Sequence, residues 1–150
     1  QTDAPVYPLL SASEIIKKAQ EAKEWGAHFF SIVTSGTSIG NKQEWNEIYE
    51  AIKGINALGI KACGSLGMLS DKEALALKHA GLYRYHHNLE TSRSYFDNIC
   101  STHDYQDDIE TNKAAKRAGL SVCCGGIIGL GETMDHRIEM AMTLKEIGVD

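Results

Sequence analysis

Residues 119–132 read GLSVCCGGIIGLGE, which is a helix-ending glycine, a short apolar strand and then a glycine-rich loop. A glycine followed at once by an apolar segment recurs along the whole chain, each time after a stretch with helical spacing of its apolar residues. This pattern predicts that helices and strands alternate, which requires a parallel sheet covered by helices and therefore an α/β fold. The glycines that end the predicted helices are Gly26, Gly59, Gly81, Gly119 and Gly148.

Two architectures satisfy this alternation, an open doubly wound sheet and an (α/β) barrel. Both place ligands at the carboxyl ends of the strands, so candidate site residues are sought there. The predicted helices cover residues 11–25, 42–58, 70–81, 105–118 and 134–147. The predicted strands cover residues 28–33, 60–63, 82–87 and 120–123. The strand at 28–33 is expected to be buried.

Composition excludes several classes of protein. The chain of 150 residues carries a net charge of −5, and its basic residues form no run, so a nucleic-acid partner is not expected. No apolar segment approaches the roughly 20 residues that a membrane-spanning helix needs. The four cysteines include the adjacent pair Cys123 and Cys124, which does not suggest a disulfide framework. These features favour a cytoplasmic protein with neither a nucleic-acid nor a membrane partner.

Thiols stand at the ends of two predicted strands. Cys63 and Cys123 end what the sequence suggests are neighbouring elements, so both thiols are expected to face one cavity. Thiolates favour iron–sulfur clusters, zinc or copper(I) as ligands. The alternative is that both cysteines act as small buried hydrophobic residues.

The predicted third strand ends in a run of polar residues. If the strand continues, His86, Asn88 and Glu90 share one face because side chains alternate along a strand. A carboxylate next to an amide can bind the two hydroxyl groups of a ribose. The alternative is a polar strand end that caps the following turn.

The glycine-rich loop leaves backbone groups unshielded, so a flat ligand can lie directly on the main chain. A phosphate site is disfavoured there, because Glu132 places a negative charge in the loop and no G-x-G-x-x-G or Walker pattern is present.

The loop also matches a known motif. Gly125, Ile127, Gly129 and Glu132 fit G-x-I-x-G-x-x-E, which resembles the loop that carries the adenine in radical S-adenosylmethionine (SAM) enzymes. The surrounding residues are similar to those of the biotin synthase family. This resemblance covers about residues 11–150, in order and with matching spacing, and it is densest in residues 62–67, 85–92, 98–105 and 122–133.

The resemblance implies a radical SAM barrel of the TIM type, of which this chain is about half. Residues 1–150 would be the central part of the barrel domain, incomplete at both ends. The resemblance further implies that a [4Fe–4S] cluster cleaves SAM to a 5′-deoxyadenosyl radical, which leads to sulfur insertion into dethiobiotin or an analogue. The cluster-binding C-x-x-x-C-x-x-C segment is absent from this sequence, so the cluster ligands lie outside it and no catalytic residue is assigned within it.

The resemblance also implies roles for individual residues. By position, Asn88 and Glu90 fall on residues that contact the SAM ribose, with Asn88 also near the substrate. His86 stands where a substrate-binding asparagine is usual. Cys63 and Cys123 fall on two of the cysteines that hold an auxiliary, sulfur-donating [2Fe–2S] cluster.

Besides His86, two further positions depart from the family pattern. Ser31 replaces a third cysteine of the auxiliary cluster, and Asp108 stands where a basic residue near the SAM carboxylate is usual. Serine is a poor ligand for such a cluster, so the sequence favours SAM binding more than it favours the [2Fe–2S] cluster. One alternative is a related enzyme with another substrate and no sulfur-donating cluster. The other is a non-catalytic half-barrel that serves as a binding or assembly module.

A half-barrel leaves unpaired backbone groups at the edges of its first and last strands. Such edges favour pairing with a second copy, so the sequence predicts a homodimer.

Overall fold

Helices and strands alternate along the chain in the computed structural model, which describes residues 8–150. The α/β fold predicted from the glycine pattern is confirmed. The elements in chain order are α1 (Ala12–Glu24), β1 (Phe29–Val33), α2 (Lys42–Ala57), β2 (Lys61–Ser65), α3 (Asp71–Ala80), β3 (Arg84–His86), α4 (Arg93–Phe96), α5 (Tyr105–Arg117), β4 (Ser121–Cys123) and α6 (Met134–Ile147).

Local hydrogen bonds explain where the long helices begin and end. Ser11, Ser70 and Thr133 each accept a bond from a backbone N–H of the first turn, and in each case the side chain three residues later bonds back to the cap. At the other end, α3 and α6 stop at Gly81 and Gly148, whose left-handed backbone suits glycine. The helix boundaries predicted from the sequence are therefore correct to within one or two residues.

The four strands form one parallel sheet in the order β1-β2-β3-β4. Each strand pairs with the next one along the chain, and each crossover carries a helix. A doubly wound sheet has a reversal of strand order, and the described strands have none. The topology is that of consecutive units of a (β/α) barrel.

The hydrophobic core lies between the sheet and the helices on one of its faces. It combines alternate strand residues, such as Ile32, Ala62 and Tyr85, with apolar residues of α1, α2, α3 and α5. A second, smaller cluster centred on Leu89 and Phe96 packs between the segment that follows β3 and helices α4 to α6.

The opposite face of the sheet, which we call the inner face, is not covered by any described helix. Strand β1 was predicted to be buried, and this was wrong for three of its five residues. Ile32 is buried and Phe30 is half-buried, but Phe29, Ser31 and Val33 are exposed, Phe29 by 44% and Val33 by 69%. The reason is that helices cover only one face, while the inner face is the one that a barrel encloses.

Two further details differ from the sequence prediction. Strand β3 ends at His86, and a four-residue helix, α4, lies between the predicted strand 82–87 and the predicted helix 105–118, where no element was predicted. Helix α4 was missed because a single turn is too short to show helical periodicity.

Candidate functional site

The inner face carries the polar residues of the strands in lateral rows. Ser31 on β1 pairs with Cys63 on β2, which pairs with Arg84 on β3, and Arg84 in turn pairs with Ser121 on β4. One step towards the carboxyl ends, His86 pairs with Cys123. Since paired residues of parallel strands point the same way, the predicted thiols do share one face.

The two thiols are not on neighbouring strands, however, and that part of the prediction was wrong. Strand β3 lies between β2 and β4, so Cys63 and Cys123 are separated across the sheet by two strand spacings, or about 10 Å, and Cys123 also lies one row nearer the carboxyl ends. The sequential strand order of a (β/α) barrel places the predicted strand 82–87 between them.

The environments of the two thiols also differ. Cys63 is buried, and this burial raises its pKa, with the nearby Arg84 guanidinium acting in the opposite direction. Cys123 is exposed. Among residues 8–150, no three His, Cys, Asp or Glu side chains form a group that could hold a metal ion. The inner face thus offers two thiols, with the Ser31 hydroxyl beside one of them.

The remaining thiol of the pair, Cys124, belongs to the other face. It packs against both hydrophobic clusters, and burial raises its pKa to about 11. Cys124 is therefore a core residue and points away from Cys123, as alternation along a strand requires.

The segment after β3 runs beside the segment after β4 and continues the ladder of the sheet. The N–H groups of His87 and Leu89 donate to the carbonyls of Cys123 and Gly125, at 3.2 and 2.9 Å. His87 and Leu89 turn towards α5 and the second core, which leaves Asn88 on the side of the glycine loop. The Asn88 amide oxygen lies 3.9 Å from the place that a Cβ on Gly125 would occupy.

Glu90 is the most unusual residue of this segment. It is the one non-glycine residue of the described chain with a positive φ, at 61°. One of its carboxylate oxygens, Oε2, is buried and has no hydrogen-bond partner. A strained backbone and an unpaired buried oxygen each cost of order 1 to 3 kcal/mol. Costs of this kind are typical of positions that hold a ligand.

The backbone at Glu90 is locked to the glycine loop. The Glu90 carbonyl accepts a hydrogen bond of 2.8 Å from the N–H of Ile127, and Glu90 forms a parallel bridge with Gly126. A Cβ on Gly126 would lie 2.6 Å from that carbonyl oxygen and would also overlap the Met140 sulfur. Only glycine permits this close approach.

The carboxylate of Glu132 braces the loop from within. It accepts hydrogen bonds from the N–H groups of Gly129 and Leu130, at 2.8 and 2.7 Å, and from the Arg137 guanidinium at 2.9 Å. These bonds, the one from Gly129 first, lower the pKa of Glu132 to about 2. Since the carboxylate is already engaged, Glu132 shapes the loop that a ligand would contact.

The outer surface of the loop is apolar. Ile127 and Ile128 are 50% and 57% exposed, next to Gly129 with its left-handed backbone. A flat aromatic ring can lie against such a surface and bond to the main chain at the same time.

Helix α4, which the sequence did not reveal, fastens this loop to α6. The Tyr95 hydroxyl donates to the Leu130 carbonyl at 3.1 Å, and its ring packs 4.9 Å from that of His136. The N–H and hydroxyl of Ser94 both donate to Glu139 on α6. No sequence pattern around Tyr95 and Ser94 predicts these contacts.

Asp108 does not point into the open inner face. Its carboxylate is 1% exposed on α5 and lies 2.7 Å from His87 Nε2 and 3.1 Å from His103 Nε2. Position 108 thus holds a carboxylate that is paired with two imidazoles.

Comparison with known proteins agrees with this geometry. The chain matches the family model of the Radical SAM superfamily over residues 2–144. It is 53% identical over 150 residues to a biotin synthase from Geobacter sulfurreducens, a match that covers 99% of this chain and 46% of the relative. It is 50% identical over 149 residues to a biotin synthase from Anaeromyxobacter sp., covering 99% of this chain and 40% of the relative. The predicted similarity to biotin synthases is confirmed.

A solved structure shares the fold. The crystal structure of a methylornithine synthase superimposes with a TM-score of 0.84 at 18% identity, covering 99% of this chain and 44% of that protein. The predicted barrel fold is thereby confirmed. The chain spans less than half the length of the biotin synthases that it matches.

Proposed function

This chain belongs to the radical SAM superfamily, and we propose that it is the SAM- and substrate-binding core of an enzyme of the biotin synthase type. We propose further that residues 1–150 are the central part of a barrel domain. The uncovered inner face and the match to less than half of each biotin synthase support this assignment.

The observation that carries the proposal is Glu90. Its unpaired Oε2 is a free acceptor, and a ribose presents two hydroxyl donors that such a carboxylate can bind. Asn88 lies beside it, next to Gly125, and can supply a second polar contact. The site fits a nucleoside, because polar groups that can bind the sugar lie next to an apolar surface that can bind the base.

The residues of the glycine loop would hold the adenine end. Gly125, Ile127 and Gly129 offer exposed backbone and an apolar side chain, and Glu132 keeps the loop in shape. Bound SAM and its [4Fe–4S] cluster would together supply a carbon radical that abstracts hydrogen from an unactivated carbon. The chain's own part is to position the nucleoside, with His86 and Asn88 facing the substrate.

The residues present fit the auxiliary [2Fe–2S] cluster less well than they fit SAM. Cys63 and Cys123 are suitable ligands for a [2Fe–2S] cluster, but Ser31 takes the place of a third thiol. This observation favours a second candidate function, a biotin-synthase-like radical SAM enzyme that acts on another substrate without a sulfur-donating cluster.

The test uses the whole protein that contains this chain, reconstituted without oxygen with iron and sulfide and reduced with dithionite. We expect 5′-deoxyadenosine to form from SAM, and faster when dethiobiotin is present. Uncleaved SAM in a sample whose spectrum shows an intact [4Fe–4S] cluster would contradict the proposal.

The same samples separate the two candidate functions. Biotin formation together with the spectrum of a second cluster type supports sulfur insertion. Formation of 5′-deoxyadenosine with one cluster type and no biotin supports the second candidate.

A further inference from the structure

A group of polar side chains between α4 and α5 takes no part in the proposed function. It consists of Cys100, Thr102, His103 and Asp108, which we call the Cys100 cluster. The first three lie in the loop that joins the two helices, and Asp108 lies in the first turn of α5. The cluster is separate from the thiols of the inner face, because it lies on the helix-covered side of the sheet.

Asp108 fixes the orientation of His103. Its carboxylate oxygens lie 3.1 and 3.2 Å from His103 Nε2, and the carboxylate is almost completely buried. A carboxylate only accepts hydrogen bonds when it is ionised, so the proton of a neutral His103 ring is placed on Nε2. The other ring nitrogen, Nδ1, then carries a lone pair that can accept a hydrogen bond from either the Thr102 hydroxyl or the Cys100 thiol.

That lone pair faces the Cys100 thiol. His103 Nδ1 lies 3.5 Å from Cys100 Sγ and 3.0 Å from the Thr102 hydroxyl. The thiol thus contacts an imidazole, which in turn contacts a carboxylate. Cysteine nucleophiles are activated by this arrangement, in which the imidazole acts as the base and the carboxylate orients it.

The surroundings keep this arrangement rigid. The Asn112 amide donates to the carbonyls of Asp108 and His87, at 2.9 and 3.1 Å, from a fully buried position. The Phe96 ring meets His103 edge-on with 5.5 Å between the ring centres. An imidazole that is held on two sides loses little freedom when it takes a proton from the thiol.

We propose that Cys100 is a nucleophilic thiol that reacts with small disulfides. In the reaction, His103 Nδ1 takes the thiol proton and Cys100 Sγ attacks one sulfur of the disulfide. A bond forms between Cys100 and that sulfur, the disulfide bond breaks, and the other half leaves as a thiolate that His103 can protonate. Cys100 is oxidised to a mixed disulfide, and one sulfur of the reagent is reduced to a thiol.

The probe is oxidised glutathione, added to the anaerobically purified protein at neutral pH. Peptide mass spectrometry then gives the rate of modification of each of the four cysteines. We expect Cys100 in the folded protein to react at least about tenfold faster than Cys100 in the same protein unfolded in urea, because the base is present only in the fold. Exposed Cys123 is the internal reference.

Two variants identify the cause. His103→Gln should lower the Cys100 rate to that of the unfolded protein and leave the Cys123 rate unchanged. His79→Gln, at an exposed position of α3, is the matched control and should change neither rate. Circular dichroism shows whether each variant is folded.

Either of two results would overturn the proposal. One is a Cys100 rate in the folded wild-type protein that is equal to or below its rate in urea, a comparison that needs no variant. The other is a folded His103→Gln protein whose Cys100 reacts as fast as in the wild type.

Discussion

Glu90 combines a left-handed backbone with a buried oxygen that has no partner inside the described protein. The unpaired oxygen is not required by the fold, since the ladder to Gly126 and Ile127 uses only backbone atoms. Its burial becomes favourable when a donor from outside completes the contact. At the scale of single residues, this is the strongest sign that the carboxyl ends of β3 and β4 form a binding site.

Glu132 differs from Glu90 because its carboxylate is fully used within the loop, and this predicts how stability depends on pH. Its pKa is lowered to about 2 in the folded state, whereas an unfolded glutamate titrates near 4.3. The stability that its ionised form contributes is therefore complete above about pH 4.3 and is lost as the pH falls towards about 2.

The measurement compares the wild type with Glu132→Gln by urea unfolding at several pH values. We expect the wild type to be more stable above about pH 5, with a difference that shrinks steadily between about pH 4.3 and 2. A difference that stays constant over this range would show that the charge of Glu132 contributes nothing. Glu21→Gln, at an exposed position of α1, is the control and should show no such trend.

At the scale of elements, the close contact of α1 with α2 depends on the absence of a side chain at Gly54. A Cβ at this position would overlap the Cδ1 and Cγ1 atoms of Ile16 on α1. Overpacking typically costs 1 to 3 kcal/mol, whereas replacing glycine by alanine within a helix gains about 1 kcal/mol. We therefore expect Gly54→Ala to lower the free energy of unfolding by about 1 kcal/mol.

A double-mutant cycle with Ile16→Ala isolates the contact. Once Ile16 is shortened, the same Gly54→Ala change should raise the free energy of unfolding by about 1 kcal/mol, because only the helical preference remains. If Gly54→Ala has the same effect in both backgrounds, the two helices do not pack as described.

The sequence predicts elements well where their signals are local. Capping residues such as Ser70 and terminating glycines such as Gly81 lie at the ends that they determine, so the long helices were predicted almost to the residue. Helix α4 has no such signal, because one turn carries no periodicity. The separation of Cys63 from Cys123 depends on which strands are neighbours, and no local pattern contains that information.

The candidate site was predictable to a similar extent. The positions of Asn88, Glu90 and the glycine loop at one end of the sheet follow from alternation and from the family motif. The strain at Glu90, the internal bonds of Glu132 and the clamp by Tyr95 arise from contacts between segments that are distant in sequence. Single-sequence patterns do not describe such contacts.

At the scale of the whole molecule, the uncovered inner face is the main support for the proposal that these strands belong to a larger barrel. Its rows of polar residues face no covering element among residues 8–150, and the chain matches less than half the length of each biotin synthase. A barrel built on these strands would enclose the two thiols, Asn88 and the Ser31 hydroxyl in one lumen.

No described helix is long and apolar enough to cross a membrane. The predicted homodimer stays a prediction.

If Glu90 and the adjacent loop bind SAM, the affinity for SAM depends on the Glu90 carboxylate. The dissociation constant is measured anaerobically on the whole protein with its [4Fe–4S] cluster, for the wild type, Glu90→Gln and the control Glu21→Gln. Losing a hydrogen bond to a charged group costs about 1.5 to 3 kcal/mol, so Glu90→Gln should bind SAM at least about tenfold more weakly, while the control binds as the wild type does. Equal affinity of Glu90→Gln and the wild type would show that the Glu90 carboxylate does not bind SAM.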